Sequence, residues 1–84
     1  MESDPQIRFT HHALLRCHQR EINQRNIYNT IKNPSRRLVT EQCVNGVFKY
    51  RFEKDYKIRK LVVIANIQTA SILVITAYWA ALNA

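Results

Sequence analysis

The chain has 84 residues, and 13 basic side chains against 6 acidic ones give it a formal net charge of +7 at pH 7. It contains a single glycine, which excludes the P-loop and the dinucleotide-binding fingerprint because each needs several. A domain this short buries about 60–65% of its unfolded surface, so its core is modest. The basic balance favours an acidic partner, such as nucleic acid, an anionic membrane or an acidic protein. A merely solvated basic surface is the alternative.

We expect one domain over residues 7–84, preceded by a disordered lead-in over residues 1–6. The first residues are polar and acidic and do not resemble a secretory signal peptide. Cys17 and Cys43 can form one bridge at most. These features predict a cytoplasmic protein whose reduced cysteines act as small buried hydrophobes.

Two short helices are predicted in the first half of the chain. Thr10 can cap a helix over residues 11–20, because its hydroxyl can accept a hydrogen bond from an amide of the first turn. Asn23 can cap a second helix over residues 24–32 in the same way. Pro34 ends that helix, since the residue before a proline is disfavoured in the α region.

The rest of the chain is predicted to be β-structure. Asn45-Gly46 is a strong signal for a tight hairpin. Four strands are predicted, over residues 38–43, 47–53, 59–67 and 71–79. This order predicts an α+β fold with two N-terminal helices packed on one face of a four-stranded antiparallel meander sheet. A short N-terminal edge strand over residues 7–9 can add to it.

The last part of the chain allows a second interpretation. Residues 61–84 carry no charged side chain, and this run is long enough to cross a bilayer. Polar residues interrupt the run at 66–71, and Val, Ile and Thr are frequent in it, which favours strands. Two apolar runs separated by polar residues predict a hairpin, so we expect no membrane partner.

The first predicted helix carries a stripe of residues suited to phosphodiester chemistry. His12, Arg16 and Arg20 are spaced i, i+4 and i+8 and so share one face. Histidine can pass protons near neutral pH, and arginine stabilises charge that develops on a phosphate. A solvated helix face is the alternative. His11 and His18 share another face, but with no Cys-x-x-Cys pair and no carboxylate nearby we expect no metal.

Basic side chains also mark the predicted sheet. Lys49 and Arg51 point away from the helices and have Tyr and Phe neighbours along the strand, an arrangement that suits single-stranded nucleic acid. An ordinary polar outer face is the alternative. We assign His11, Arg36 and Arg37 to the same nucleic-acid-binding set because they add positive charge.

The last predicted strand places Thr76 and Tyr78 on one side. The Tyr78 ring can stack on a base, or its hydroxyl can act on a proton. Packing in the core is the alternative for both side chains. The few acidic residues do not identify a catalytic carboxylate pair.

Three segments together resemble a known family. Residues 9–22, FTHHALLRCHQREI, resemble the His-Ala-x-x-Arg-x-x-x-Arg-Gly-Ile opening of a family of small bacterial domains of unassigned function. Ile27, Ile31 and Asn33-Pro34 match its next segment, and residues 73–78, LVITAY, resemble its closing strand. The family is similar to RelE-like and BrnT-like ribonuclease toxins, which belong to the barnase–EndoU–colicin–RelE fold group.

The resemblance implies a RelE-like fold, metal-independent RNA cleavage without a cofactor, and a small acidic antitoxin as partner. It also implies that catalytic groups come from the first helix and the last strand. The matching positions are His12, Arg16, Arg20, Thr76 and Tyr78. Arg51 is added from strand alternation alone. The sequence departs from the pattern at position 21, where Glu stands in place of a glycine that normally ends the helix.

The sequence therefore predicts an endoribonuclease toxin of the mRNA interferase type, acting on free or ribosome-associated mRNA. The alternative is a non-catalytic basic module that binds RNA, DNA or an acidic protein. A third hypothesis is a homodimeric structural protein that hides its apolar strands in an interface.

Overall fold

The computed structural model describes residues 6–42, 47–68 and 70–83. Its elements are, in chain order, β1 (Gln6–Phe9), α1 (His11–Gln19), α2 (Gln24–Lys32), β2 (Arg36–Gln42), β3 (Phe48–Asp55), β4 (Arg59–Ile67) and β5 (Ser71–Ala81). Two helices beside one sheet confirm the α+β class. The predicted turn at Asn45-Gly46 lies outside the described residues.

The sheet has five strands in the order β1-β5-β4-β3-β2. Strand β1 runs parallel to β5, and the other neighbours are antiparallel. The predicted four-stranded antiparallel meander was therefore wrong. The added strand contains the short edge strand expected at residues 7–9, and it pairs from Gln6 beside Ser71 to Phe9 beside Val74. Strands β1 and β5 come from distant parts of the chain, and they pair through the backbone groups on the outer edge of β5. No pattern of neighbouring side chains in the sequence indicates such a pairing.

Both predicted helix caps are confirmed. Thr10 Oγ1 accepts a hydrogen bond from the backbone N of Ala13 at 2.9 Å. Asn23 Oδ1 accepts one from the backbone N of Arg25 at 2.8 Å. Each cap satisfies an amide that has no partner inside its helix, so both helices begin where the sequence places them.

The end of α1 contains a residue in the left-handed region. Glu21 has a φ of 54°, and its backbone N donates to the His18 carbonyl at 3.3 Å. The backbone N of Ile22 donates to the Cys17 carbonyl at 2.9 Å. These two bonds form a Schellman motif, and Ile22 and Cys17 are both buried, as its apolar contact requires. Glu21 thus occupies the glycine position of the resembled pattern, at a cost of about 1–2 kcal/mol.

The hydrophobic core lies between the helices and one face of the sheet. Ala13 and Cys17, one turn apart, define the buried side of α1. Leu14 and Leu15 on the same helix are 42% and 46% exposed. The remaining buried members of this core come from the loop after α1, from α2 and from three strands: Ile22, Ile27, Ile31, Phe52, Leu61, Val63, Ala65, Ile72, Val74 and Ala77.

Strands β4 and β5 confirm the predicted hairpin in the uncharged part of the chain. They pair antiparallel from Arg59 beside Ala81 to Ile67 beside Ile72, with a register shift between Ile64 and Ala65. Within the described ranges, no helix is long and apolar enough to span a bilayer.

Candidate functional site

The predicted stripe on α1 contains a contact between imidazole and guanidinium. Arg16 Nε donates to His12 Nε2 at 3.4 Å, and Arg16 Nη1 donates to Gln19 Oε1 at 3.1 Å. The guanidinium of Arg16 therefore lies against the imidazole of His12. A bond of 3.4 Å is long and weak, so His12 can exchange Arg16 for a substrate group.

Arg20 connects the end of α1 to strand β5. Its Nη1 atom donates to the Ala77 carbonyl at 2.8 Å and to Thr76 Oγ1 at 3.4 Å. Among the described residues, β1 pairs with β5 only as far as Val74, so Arg20 satisfies a carbonyl beyond the end of that pairing. The turn at Glu21 is what holds Arg20 at the helix terminus, facing β5.

Four of the five predicted catalytic residues therefore lie in two bonded pairs, His12 with Arg16 and Arg20 with Thr76. The pairs are one helical turn apart on α1, where the backbone N of Arg20 donates to the Arg16 carbonyl at 2.9 Å. Tyr78 is half-buried two residues after Thr76 on β5. We call these five residues the α1–β5 seam.

A second group of charged residues lies on the sheet face opposite the helices. Glu53 is 4% exposed, and its carboxylate accepts from Arg36 Nε at 2.7 Å, Arg51 Nε at 2.6 Å and Lys60 Nζ at 3.1 Å. Arg36 also pairs with Asp55 through both of its terminal nitrogens. We call these five residues the Glu53 cluster.

The cluster shifts the titration of both carboxylates. Burial by itself would raise the pKa of Glu53, but the hydrogen bonds from Arg36, Lys60 and Arg51 outweigh it and lower the pKa to about 2. The hydrogen bond from Arg36 lowers the pKa of Asp55 as well. Both carboxylates are thus charged at neutral pH, and Glu53 fixes three cations in place.

The pairing of β3 with β4 and of β4 with β5 gives the spacing between the Glu53 cluster and the β5 residues of the α1–β5 seam. Arg51 lies beside Ile64 on β4, and Ile64 lies beside Thr76 on β5. Glu53 and Tyr78 are aligned in the same way across β4. Neighbouring strands are about 4.8 Å apart, so Arg51 and Thr76 are separated by about 10 Å along one row. This places Arg51 within reach of a ligand that also contacts the seam.

The predicted nucleic-acid-binding residues do not share one surface. Arg36, Lys49 and Arg51 lie on the face opposite the helices, as the register with Glu53 indicates. The Arg37 guanidinium carbon lies 5.2 Å from the centroid of the Tyr50 ring, on the helix-facing side. His11 is exposed on α1. Arg36, Lys49 and Arg51 therefore share the sheet face on which Tyr78 lies.

Sequence reasoning missed the role of Glu53 and Lys60. Alternation along β3 places Glu53 on the same face as Arg51, and that was the one available signal. The burial of Glu53 and the approach of Arg36 and Lys60 depend on β2 and β4, which come from elsewhere in the chain.

Burial also explains the state of Cys17. This thiol is free and 4% exposed, which confirms that it acts as a small buried hydrophobe. Burial raises the pKa of Cys17, and the nearby Arg20 opposes the rise. Cys43 lies outside the described residues.

The sequence of this small α+β domain matches one family model. Residues 9–79 match the family described as a domain of unknown function, DUF4258. Because the match covers most of the chain, the protein belongs to this family. No curated protein and no solved structure gives a significant match.

Proposed function

We propose that this protein is a metal-independent endoribonuclease, an mRNA interferase-like toxin of a toxin–antitoxin system. The observation that carries the proposal is the 3.4 Å hydrogen bond from Arg16 to Nε2 of His12, with Arg20 one turn further along α1. An imidazole beside two guanidiniums combines a group that can pass protons with groups that hold a phosphate. Residues 9–22 and 73–78 resemble a family of unassigned function, and the similarity of that family to RelE-like and BrnT-like toxins supports the same activity.

The reaction begins at the ribose 2′-hydroxyl. His12 Nε2 takes its proton, the 2′-oxygen forms a bond to the adjacent phosphorus, and the bond from phosphorus to the 5′-oxygen breaks. The Tyr78 hydroxyl gives a proton to the departing 5′-oxygen. The products are a 2′,3′-cyclic phosphate and a 5′-hydroxyl, and the chemistry needs no redox partner.

The guanidiniums act on the phosphate. Arg16 leaves His12 to bind a non-bridging oxygen, and Arg20 and Arg51 offset the charge that grows as the phosphorane forms. Arg20 is already held by Thr76 and Ala77, and Arg51 is held by Glu53. Little side-chain entropy is therefore lost when these two side chains bind the phosphate. Their positive charge supplies the stabilisation for which other nucleases use a metal ion.

The proposed partners follow from the charge. A net charge of +7 favours RNA, including mRNA on the ribosome, and a small acidic antitoxin. The proposed site of action is the cytoplasm, where mRNA is translated.

The test compares two histidines of α1. Wild type, His12→Ala and His18→Ala are incubated with mRNA and with ribosomes carrying mRNA, in EDTA. His12→Ala should slow cleavage by about 10²–10⁴-fold, whereas His18→Ala, at an exposed position on another side of α1, should cleave like wild type. Absence of cleavage by wild type, or equal rates for wild type and His12→Ala, would refute the mechanism.

A non-catalytic module that binds nucleic acid is the second candidate. Arg20, Arg36 and Arg51 each donate a hydrogen bond to an oxygen of the protein itself, so they contribute to the fold. This structural role favours the non-catalytic module. Such a module would bind RNA in a salt-sensitive way and release it unchanged. Binding measured together with intact RNA on a denaturing gel would select this candidate over the nuclease.

A further inference from the structure

A groove of about 390 Å³ lies at the turn between β3 and β4. It is lined by Tyr56, Lys57, Ile58, Arg59 and Trp79. Trp79 and Tyr56 pack against the helix-facing core, whereas Tyr78 lies in the row of Glu53 on the other face. None of the five residues of the α1–β5 seam lines this groove.

The groove has an aromatic wall that side-chain contacts hold in place. The Tyr56 and Trp79 rings meet edge to face, with centroids 5.6 Å apart and an interplanar angle of 77°. The Arg59 guanidinium carbon lies 3.8 Å from the centroid of Trp79, in cation–π geometry. An aromatic wall fixed in this way loses little entropy when a ligand binds.

Ile58 provides an aliphatic surface beside that wall. It is 84% exposed, more than any other large apolar side chain among the described residues. A single exposed isoleucine is ordinary on a protein surface. Here, however, it lines a groove with an aromatic wall, so an apolar side chain placed there would remove both surfaces from water.

Two polar atoms of the wall lack partners. Tyr56 Oη and Trp79 Nε1 are buried and form no hydrogen bond with any described residue. Both groups can donate, and an unmade hydrogen bond at a buried donor is costly. An oxygen acceptor of a ligand that reached these donors would offset that cost.

We propose that this groove binds an acidic peptide segment that inserts an aliphatic side chain between Ile58 and Trp79. Lys57 and Arg59 flank the site, so their charge complements the carboxylates of such a segment. A nucleobase fits less well, because Arg59 already covers the face of Trp79 on which a base would stack. This inference goes beyond RNA cleavage and does not depend on it.

The test uses the fluorescence of Trp79, since the chain contains one tryptophan. The full chain is titrated with a short synthetic peptide of Asp and Glu around a central Leu-Leu pair, without aromatic residues. We expect a saturable change in emission that weakens as salt is added. Ile58→Ser should reduce the affinity about tenfold or more, while the control Val39→Ser, at an exposed site on β2, should leave it unchanged.

Three results would overturn the proposal. The first is a peptide that leaves the emission of Trp79 unaltered. The second is equal binding of a peptide in which a Ser-Ser pair replaces Leu-Leu, because charge alone would then account for it. The third is a single-stranded RNA that binds in the same Ile58-dependent way, which would assign the groove to nucleic acid. Because no RNA is present in the first two experiments, their outcome is independent of ribonuclease activity.

Discussion

Replacing Glu53 by glutamine should destabilise the fold by about 3–5 kcal/mol at neutral pH. The substitution keeps the size of the side chain but removes its charge. Lys60, which is 3% exposed, would then be a buried cation whose 3.1 Å partner has lost its charge. Arg36 and Arg51 would lose the same acceptor.

The pKa of Glu53 gives a second, independent value for this loss of stability. Folding lowers it from 4.5 to about 2, which corresponds to about 3 kcal/mol. Because the folded pKa lies below the unfolded one, this stability is fully present above about pH 4.5. It is lost as the pH falls from 4.5 towards 2, because the unfolded chain takes up a proton there that the folded protein does not yet bind.

The assay is urea unfolding of wild type and Glu53→Gln at pH 7 and at pH 3. The difference between the two proteins should be largest at pH 7 and clearly smaller at pH 3, where protonation of the unfolded chain has removed much of the advantage of the wild type. Asp55→Asn serves as the control, and it should cost clearly less because its ion pair with Arg36 is exposed. A loss below about 1 kcal/mol for Glu53→Gln, or a difference independent of pH, would refute the reasoning.

Two further substitutions test how α1 is joined to the rest of the fold. Glu21→Gly should raise the free energy of unfolding by about 1 kcal/mol and the Tm by about 4–8 °C, because glycine adopts the left-handed region without strain. The control Glu21→Ala keeps the strain and should change the stability little. An equal gain in stability for alanine would contradict this explanation. Arg20→Gln should lower the free energy of unfolding by about 1–2 kcal/mol through loss of the hydrogen bond to the Ala77 carbonyl. The control is Arg25→Gln, on the exposed side of α2. Equal effects of the two variants would show that the bond to Ala77 does not stabilise the fold.

The local parts of the fold could be predicted from the sequence. Thr10 and Asn23 were found because a cap depends on its own side chain and the next few residues. The β4–β5 hairpin was found because its apolar runs are neighbours in the chain. The parallel pairing of β1 with β5 was missed because it joins distant segments and depends on backbone groups rather than on side-chain type.

The same distinction applies to the site. Helical spacing alone placed His12 and Arg16 on one face of α1, and in the structure the two side chains are in contact. Arg51 was assigned to an open basic face, yet its Nε atom is bonded to Glu53. Alternation can place a side chain on a face, but which neighbouring strand supplies its partner is decided by the tertiary fold.

The most direct test of the proposed mechanism is the requirement for the ribose 2′-hydroxyl. Once a cleaved position in an RNA is mapped, the same RNA is made with one 2′-deoxynucleotide on the 5′ side of that bond and incubated with the wild type in EDTA. The account predicts that cleavage at this bond disappears, while the unmodified RNA yields a 2′,3′-cyclic phosphate end. Cleavage of the deoxy-substituted bond at the same rate would contradict an attack by the 2′-oxygen and, with it, the role assigned to His12.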